Sequence, residues 1–274
     1  MLFRSRKDVF AAPKLSANLQ LSPATAVYGQ VARGFQSLSE ANSFYTDSSN
    51  VSKIAVKPQV STNYQAGAVY RSDRFTGDVD AYYIDFKNYA YNGPTDATGD
   101  PTYYGTAEGA HYSGAEAQGT FFLGRGLSFY ANASLNQAKF KGSGLKVPTV
   151  PDSTGVVGLV YGNKSGFFGS FTQKFVGEWT VYDKISNPDI AGGGATRSAQ
   201  SNTYSLGNLS VGYNLKTASR VLRSVKVRLQ VSNLFNKKVQ ILDGIDANPA
   251  NAYAKDTFNV LPVRNYFLTV SGEF

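Results

Sequence analysis

The chain has 274 residues, among them 27 glycines, 18 tyrosines, 18 phenylalanines and no cysteine. The lack of cysteine excludes a disulfide framework and a thiolate metal site, and no stretch approaches the ~20 apolar residues of a membrane helix. The formal charge is +8, but the basic residues are scattered rather than clustered, so we expect no nucleic-acid partner. Abundant aromatic residues and glycines favour an all-β structure with many turns.

The first residues, MLFRSRKDVFAAPKL, have no apolar segment after their charges and therefore do not resemble a signal peptide. Met1 is also the only methionine of the chain. We expect an internal or misassigned start, with residues 1–13 as a poorly defined lead-in. Residues 1–274 as a whole are expected to be one piece of a single, longer β domain.

Alternating apolar and polar residues predict about eleven strands, because side chains of a strand point to opposite faces in turn. On one predicted strand Leu127, Phe129 and Ala131 face one way, while Ser128 and Tyr130 face the other. The predicted strands cover residues 14–21, 25–35, 58–71, 76–91, 108–123, 127–141, 153–161, 166–182, 204–216, 225–239 and 261–274. Short turns alternate with long loops between them, as in outer-membrane β-barrels.

Aromatic residues near the strand ends are interpreted as two girdles at the membrane surfaces. The residues near the short turns are Tyr28, Tyr70, Phe121, Phe122, Tyr161 and Phe274, and those near the long loops are Tyr89, Tyr91, Phe175, Trp179, Tyr182 and Phe235. A further set of charged residues is expected to face the interior of the barrel: Glu116, Lys226, Arg228 and Arg264.

The direction of the strands limits how the sheet can close. The first and the last predicted strand run the same way, so they cannot pair as antiparallel neighbours. An open edge in lipid leaves backbone groups without hydrogen-bond partners, at a cost of several kcal/mol each. We therefore predict a segment of an antiparallel transmembrane β-barrel, and about eleven strands would be half of the roughly 22 strands of a plugged outer-membrane transporter.

The C-terminal part of the chain carries the most specific pattern. A strictly alternating strand is followed by Asn233, Leu234, Phe235 and Asn236 and then by two lysines. The last strand places five residues on one face, which are Tyr266, Leu268, Val270, Gly272 and Phe274. This arrangement resembles the C-terminal end of the TonB-dependent outer-membrane receptors. The segments YGQVARGF at residues 28–35 and SGAEAQGTFF at residues 113–122 are similar to strands of the same family.

The resemblance implies a gated and plugged barrel in the bacterial outer membrane, surrounded by lipid. It implies energy-coupled uptake of a scarce ligand, with a ferric siderophore as the family's usual ligand; cobalamin, haem, other metals and oligosaccharides stay open. The implied partners are the N-terminal half of the barrel with its plug, the TonB complex acting through that plug, and the barrel-assembly machinery acting on the C-terminal strand. The pattern Asn233, Leu234, Phe235 and Asn236 and the final strand are assigned to membrane assembly.

Ligand contacts are expected in the loops and on the inner wall, from aromatic and basic side chains. By position the candidates are Tyr103, Tyr104, Trp179, Tyr182, Arg197, Tyr253 and Lys255. No catalytic residue, cofactor or resident metal is expected: His111 is the only histidine, and no nucleophile stands at a suitable spacing from it. A passive porin-like channel and a soluble all-β adhesin or carbohydrate-binding module are the alternatives.

Overall fold

The structure is a computed structural model, and it describes residues 10–36, 58–92, 104–182, 198–216, 222–245 and 256–273, without the side chains of 90–92 and 104–107. Within these residues the regular structure is entirely β. No described segment is a helix that is long and apolar enough to cross a membrane. The strands are β1 (Lys14–Gln20), β2 (Thr25–Gln36), β3 (Gln59–Arg71), β4 (Phe75–Asn92), β5 (Tyr104–Gly124), β6 (Leu127–Phe140), β7 (Ser153–Gly162), β8 (Phe167–Val176), β9 (Thr180–Tyr182), β10 (Ser198–Gln200), β11 (Tyr204–Lys216), β12 (Ser224–Ser232), β13 (Gln240–Gly244), β14 (Thr257–Val260) and β15 (Asn265–Glu273).

Eleven of these strands form one antiparallel sheet, which confirms the predicted all-β class. Their order is β1 to β8, then β11, β12 and β15, so each strand lies beside the next one of the sheet along the chain. The remaining four strands form two separate hairpins, β9 with β10 and β13 with β14. Among the described residues, β1 and β15 are the two open edges of the sheet.

The two faces of the sheet differ in chemistry because the register keeps like residues together. Val31 of β2 lies opposite Tyr64 of β3, and Tyr64 lies opposite Tyr83 of β4, with ring centroids 6.4 Å apart. The same face carries exposed leucines at the edges, Leu15 on β1 and Leu268 on β15. An apolar surface that extends across a whole sheet is unsuited to water and is the pattern expected of the lipid-facing band of a membrane barrel. We call it the apolar face.

The opposite surface, the polar face, is covered by side-chain hydrogen bonds. The Asp80 carboxylate accepts hydrogen bonds from the Tyr28 hydroxyl at 3.4 Å and from the Gln65 amide at 3.1 Å. Glu116 lies opposite Asp80 in the register, and Arg228 and Lys226 lie on the same face of β12, opposite Thr269 and Ser271. Three of the charges expected in the barrel interior therefore do lie on the polar face. Arg264, the fourth, precedes β15 and belongs to no strand.

Short and long connections alternate, as predicted. The shortest joins β5 to β6 through residues 125–126, and the longest joins β12 to β15 through residues 233–264. All long connections leave from one end of the sheet, which we call the long-loop end, and the short turns lie at the other, the short-turn end.

The prediction of one strand over residues 166–182 was wrong. β8 ends at Val176, and the chain resumes as β9 in a different sheet. The Gly177 amide donates to the Ser153 carbonyl at 2.8 Å, so the chain turns towards the start of β7 instead of continuing along β11. β10 falls in what was predicted to be an irregular loop.

The strand predicted over residues 225–239 also ends early. β12 stops at Ser232 because Asn233 takes a left-handed conformation with φ of 52°, which breaks the pairing with β11. The chain then forms the hairpin of β13 and β14 inside the predicted loop, and the last strand begins at Asn265 rather than at Leu261. Phe274 lies outside the described residues.

Buried apolar side chains are concentrated at the long-loop end. One cluster consists of Ala110, Ala138, Phe140 and Val147, and Phe140 is only 2% exposed. A second cluster joins the two extra hairpins through Val176, Trp179, Val181, Leu242 and Ile245. The long-loop end thus has packed cores of its own.

The girdle interpretation needs correction. Tyr70 and Phe121 are exposed on the apolar face, as an interfacial aromatic should be. Tyr28 instead lies on the polar face, bonded to Asp80, and Trp179 is buried in the second cluster. Aromatic side chains near strand ends therefore have three different surroundings in this chain: the exposed apolar face, a hydrogen bond on the polar face, and a buried cluster.

Candidate functional site

Three loops meet above the polar face at the long-loop end. The hairpin of β9 and β10 is held by the pairing of Val181 with Ala199. The connection between β6 and β7 joins it through the Thr149 amide, which donates to the Thr180 carbonyl at 3.1 Å. Leu242 of the other hairpin packs into the same buried cluster as Val181. Two of the loops pack on one cluster and the third is held to them by a backbone hydrogen bond, which gives a defined surface instead of independent loops.

These loops enclose a cleft of about 290 Å³. Its lining combines apolar, aromatic and charged side chains, namely Thr149, Pro151, Thr154, Lys174, Val176, Trp179, Tyr204, Ile241, Leu242 and Asp243. A concave site with a mainly apolar wall and a few polar groups is the usual form of a small-molecule site, although such sites more often measure ~300–1,000 Å³. The cleft therefore suits one part of a larger ligand.

Trp179 carries the most informative feature of this cleft. The residue is 7% exposed, its amide donates to the Ser201 hydroxyl at 3.0 Å, and its ring meets Tyr204 edge-on with centroids 6.4 Å apart. The indole nitrogen Nε1 has no hydrogen-bond acceptor among the described residues. A buried donor left unpaired costs about 1–3 kcal/mol, and Nε1 has almost no accessible surface, so the cleft meets the indole ring and not this donor.

Lys174 places a positive charge in the same cleft. It lies on the polar face of β8, opposite Val156 and Leu206, and is exposed. No carboxylate of the described chain lies within 4.0 Å of its ammonium group. Asp243 is exposed and lines the cleft from the second hairpin. The cleft can thus offer an anionic, oxygen-rich group one ammonium group that has no ion-pair partner among the described residues, beside the rings of Trp179 and Tyr204.

The predicted ligand residues are only partly brought together. Trp179 lines the cleft, and Tyr182 lies three residues further along, half-buried in β9. Burial raises the pKa of the Tyr182 hydroxyl, whereas Lys146 acts in the opposite direction, so the group is an uncharged donor at neutral pH. Tyr104 begins β5, but its side chain is not described. Four predicted residues lie outside the described residues: Tyr103, Arg197, Tyr253 and Lys255.

Sequence reasoning missed Lys174, Tyr204 and Asp243. Lys174 could have been found from the alternation along its strand, because it follows Ser170 and Thr172 on the polar face. Tyr204 could have been found in the same way, at the start of β11. Asp243 gave no signal, because its position depends on a hairpin that the sequence did not predict.

The segment of Asn233 to Asn236 forms a corner at the end of β12. Asn233 is 4% exposed, and its side-chain nitrogen donates to the carbonyls of Lys237 at 2.8 Å and Pro262 at 3.1 Å. Its Oδ1 accepts from the Lys237 amide at 2.9 Å. Asn236 has the same φ of 52°, and its Oδ1 accepts from the Arg264 amide at 3.1 Å. Both asparagines tolerate the left-handed region and tie the outgoing chain to the returning one, which gives this motif a structural role at the base of the loop.

Solved structures share this fold. The copper transporter OprC aligns with a TM-score of 0.72 at 16% identity, over 94% of this chain and 40% of that one. The ferric yersiniabactin uptake receptor FyuA from Yersinia pestis aligns with a TM-score of 0.64 at 20% identity, over 96% of this chain and 37% of that one. A mutant ferric enterobactin receptor, PfeA, from Pseudomonas aeruginosa aligns in its enterobactin complex with a TM-score of 0.70 at 18% identity, over 94% and 40%.

The chain therefore spans about two fifths of the length of these structures. No curated protein sequence matches it. The sequence model of one family, described as TonB dependent receptor-like, beta-barrel, matches residues 2–234. The match covers most of the chain and ends inside the corner segment, at Leu234. The antiparallel sheet, its two faces and this match together place the chain in the β-barrel family of the TonB-dependent receptors.

Proposed function

We propose that the chain forms part of the wall and the extracellular loops of an outer-membrane receptor for a ferric siderophore. The family is one of receptors in the outer membrane, and the solved structures of the same fold include receptors named for ferric yersiniabactin and ferric enterobactin. Uptake is energy-coupled in this proposal: the TonB complex acts through a plug inside the barrel, and the present chain supplies wall and loops.

The observation that carries the choice of ligand is that one cleft holds the rings of Trp179 and Tyr204 and the ammonium group of Lys174, which has no ion-pair partner among the described residues. Ferric siderophore complexes are anionic or rich in oxygen acceptors, and many contain aromatic rings. Lys174 would attract the charge, and Trp179 and Tyr204 would pack against a ring. The size of the cleft fits one chelating arm. Tyr182, Tyr103, Tyr104, Arg197, Tyr253 and Lys255 stay predicted contacts of the remainder of the ligand.

The open edges of the sheet support an additional part of the proposal. β1 and β15 have exposed apolar side chains and no partner strand among the described residues. The two edge strands run in the same direction, so they cannot pair with each other in an antiparallel barrel. Closure needs further strands, and those that pair with β1 and with β15 must run in the opposite direction. We assign these strands, together with the plug, to a part of the receptor outside residues 1–274. The final strand, with Tyr266, Leu268 and Val270 on its apolar face, is the segment proposed for the barrel-assembly machinery.

The test is uptake of radioactive iron by iron-starved cells that produce the native receptor. Ferric enterobactin, ferric yersiniabactin and ferric citrate are offered separately, with and without a functional TonB complex. We expect uptake of at least one chelate, and we expect it to stop when TonB is absent. Uptake of none of them, or uptake that continues without TonB, would overturn the proposal.

Two substitutions connect the function to the cleft. Lys174→Gln removes the charge, and Trp179→Phe replaces the indole in the wall of the cleft by a smaller aromatic ring. Each is expected to weaken chelate binding about 10-fold, which corresponds to about 1.4 kcal/mol. Lys216→Gln is the matched control, because Lys216 is exposed at the short-turn end and should leave affinity unchanged. Equal affinity in all three variants would show that the cleft does not contact the ligand. The receptor function itself is decided by the uptake experiment.

A further inference from the structure

A second cleft, of about 690 Å³, lies where β11 and β12 reach the long-loop end. Its wall includes Ser205, Lys237, Lys238, Val260 and Val263. It therefore combines two basic side chains with exposed apolar ones. The proposed chelate site uses none of these five residues, although Tyr204 lines both clefts.

The register shows on which side of the sheet these lysines lie. Ser205 pairs with Phe175, so it belongs to the apolar face. The Lys237 ammonium donates to the Ser205 hydroxyl at 2.9 Å, which holds the Lys237 side chain on that face. Lys237 and Ser205 thus line the cleft from the apolar face, whereas Tyr204 lines it from the polar face.

An exposed aromatic side chain marks the border of the apolar band at this point. The Phe235 ring lies over Gly207 of β11, where any larger side chain would collide with it. It meets Phe171 edge-on with centroids 6.4 Å apart and stays 55% exposed. An aromatic ring followed by lysines is the usual sequence from hydrocarbon to headgroup at a membrane surface. The lysines therefore stand at headgroup level.

The positive charge of this cleft is not neutralised within the described chain. Lys237 bonds only a neutral hydroxyl through its ammonium group, and no carboxylate of the described residues lies within 4.0 Å of either lysine. The backbone of Lys237 is fixed by its two hydrogen bonds with the Asn233 side chain. Two lysines next to each other in the chain on a fixed backbone form a preorganised site for a compact anion.

We propose that this cleft binds the phosphate headgroup of an anionic membrane lipid. Lys237 and Lys238 contact the phosphate, and an acyl chain lies along the apolar wall beside Phe235. A lipid is favoured over free phosphate because Val260 and Val263 are 65% and 50% exposed in the same cleft, and because the cleft continues the apolar face. The inference rests on the proposed membrane placement but is independent of the chelate and of TonB.

Native mass spectrometry of the protein extracted from its own membrane tests this inference. Phosphatidylglycerol and phosphatidylcholine are added separately to the detergent solution, and the fraction of protein that retains lipid is measured. The variant K237Q/K238Q is compared with the control K164Q/K216Q, whose two lysines are exposed at the short-turn end. Retention of phosphatidylglycerol should fall at least 5-fold in the first variant and stay unchanged in the control.

Three results would overturn the proposal. They are equal loss in both double variants, equal retention of the two lipids, and full competition by inorganic phosphate, which would indicate a site for the free anion. The double variant could fail to fold, which would show as loss of the heat-modifiable mobility of a folded barrel. In that case lipid retention is measured on Lys238→Gln alone. Lys238 has no hydrogen bond or ion pair in the described structure, so this substitution should not affect folding. Presence of the native protein in the membrane fraction, measured separately, tests the membrane placement itself.

Discussion

The two ends of the sheet are built on different principles. At the short-turn end the strands are joined by tight turns, such as residues 125–126, and the side chains lie on either the apolar face or the polar face. At the long-loop end the connections pack into two buried clusters, centred on Phe140 and on Trp179. One end therefore depends on backbone pairing and turn geometry, and the other on side-chain packing.

This difference has a consequence for function. A barrel wall can be stabilised by its hydrogen-bond ladder and by lipid, without a core of its own. Loops that bind a ligand need a fixed shape, because ordering them on binding would reduce affinity. The cluster around Trp179 provides that shape for the candidate cleft. Substitutions at the long-loop end should therefore disturb binding geometry before they disturb the barrel.

The largest effect is expected from Phe140→Ala. Removing a side chain that is 2% exposed leaves a cavity among Ala110, Ala138 and Val147, at a cost of about 3–5 kcal/mol. Hydrogen exchange measured by mass spectrometry should show faster exchange in peptides covering residues 138–150. Phe129→Ala is the control on the same strand, since Phe129 is 40% exposed on the apolar face. If both variants accelerate exchange equally, the two ends are not built differently.

Gly126→Ala should have the largest effect at the short-turn end. Gly126 has φ of +84°, and an added Cβ would collide with the Gly162 carbonyl oxygen. Left-handed strain and the collision together should cost about 3 kcal/mol. Gly124→Ala is the control, because Gly124 has φ of +102° but open space around it, and only the strain applies. Urea unfolding in detergent should give Gly126→Ala a clearly lower free energy of unfolding than Gly124→Ala. The reverse ranking would show that movement of the turn relieves the collision.

Asn233→Ala tests the corner that joins the wall to the last long loop. The variant loses the hydrogen bonds to Lys237 and Pro262 and forces alanine into the left-handed region, at about 2–3 kcal/mol in total. Asn233→Gly loses the bonds but keeps the conformation, so it should be less destabilising by about 1 kcal/mol. Exchange in peptides covering residues 233–245 should follow the same order. Equal exchange rates in the two variants would show that the whole loss of stability comes from the hydrogen bonds and none from the backbone conformation.

The smallest effect is expected from Lys146→Met. Its ion pair with Asp152 at 2.7 Å lies at the long-loop end, but both side chains are more than a third exposed. Solvent screening limits such a pair to about 0–1 kcal/mol. Urea midpoints at low and high salt should therefore differ little between Lys146→Met and the parent protein. A loss as large as that of Phe140→Ala would mean that surface charge, not packing, holds these loops.

The sheet was predictable because its signal is local. Along β6 the alternation of Leu127, Phe129 and Ala131 with polar residues is complete within one strand, and the strand bounds followed from it to within one residue. The break after β8 was not predicted, because Phe175, Trp179 and Val181 continue an alternating pattern across Gly177. Trp179 and Val181 are apolar for another reason, because they pack in the cluster that joins the two hairpins.

The class, the order of the strands, the two faces and the alternation of short turns with long loops could be read from the sequence, because each of these follows from period-two patterning and turn residues. The burial of Trp179, the shared cleft of Lys174 and Asp243, and the position of Lys237 on the apolar face became visible only in the folded structure. These facts depend on contacts between loops far apart in the chain, in which Val181 meets Leu242 and Asn233 meets Pro262. No local sequence pattern encodes these contacts, because each of the two residues has the sequence surroundings of an ordinary strand or turn residue.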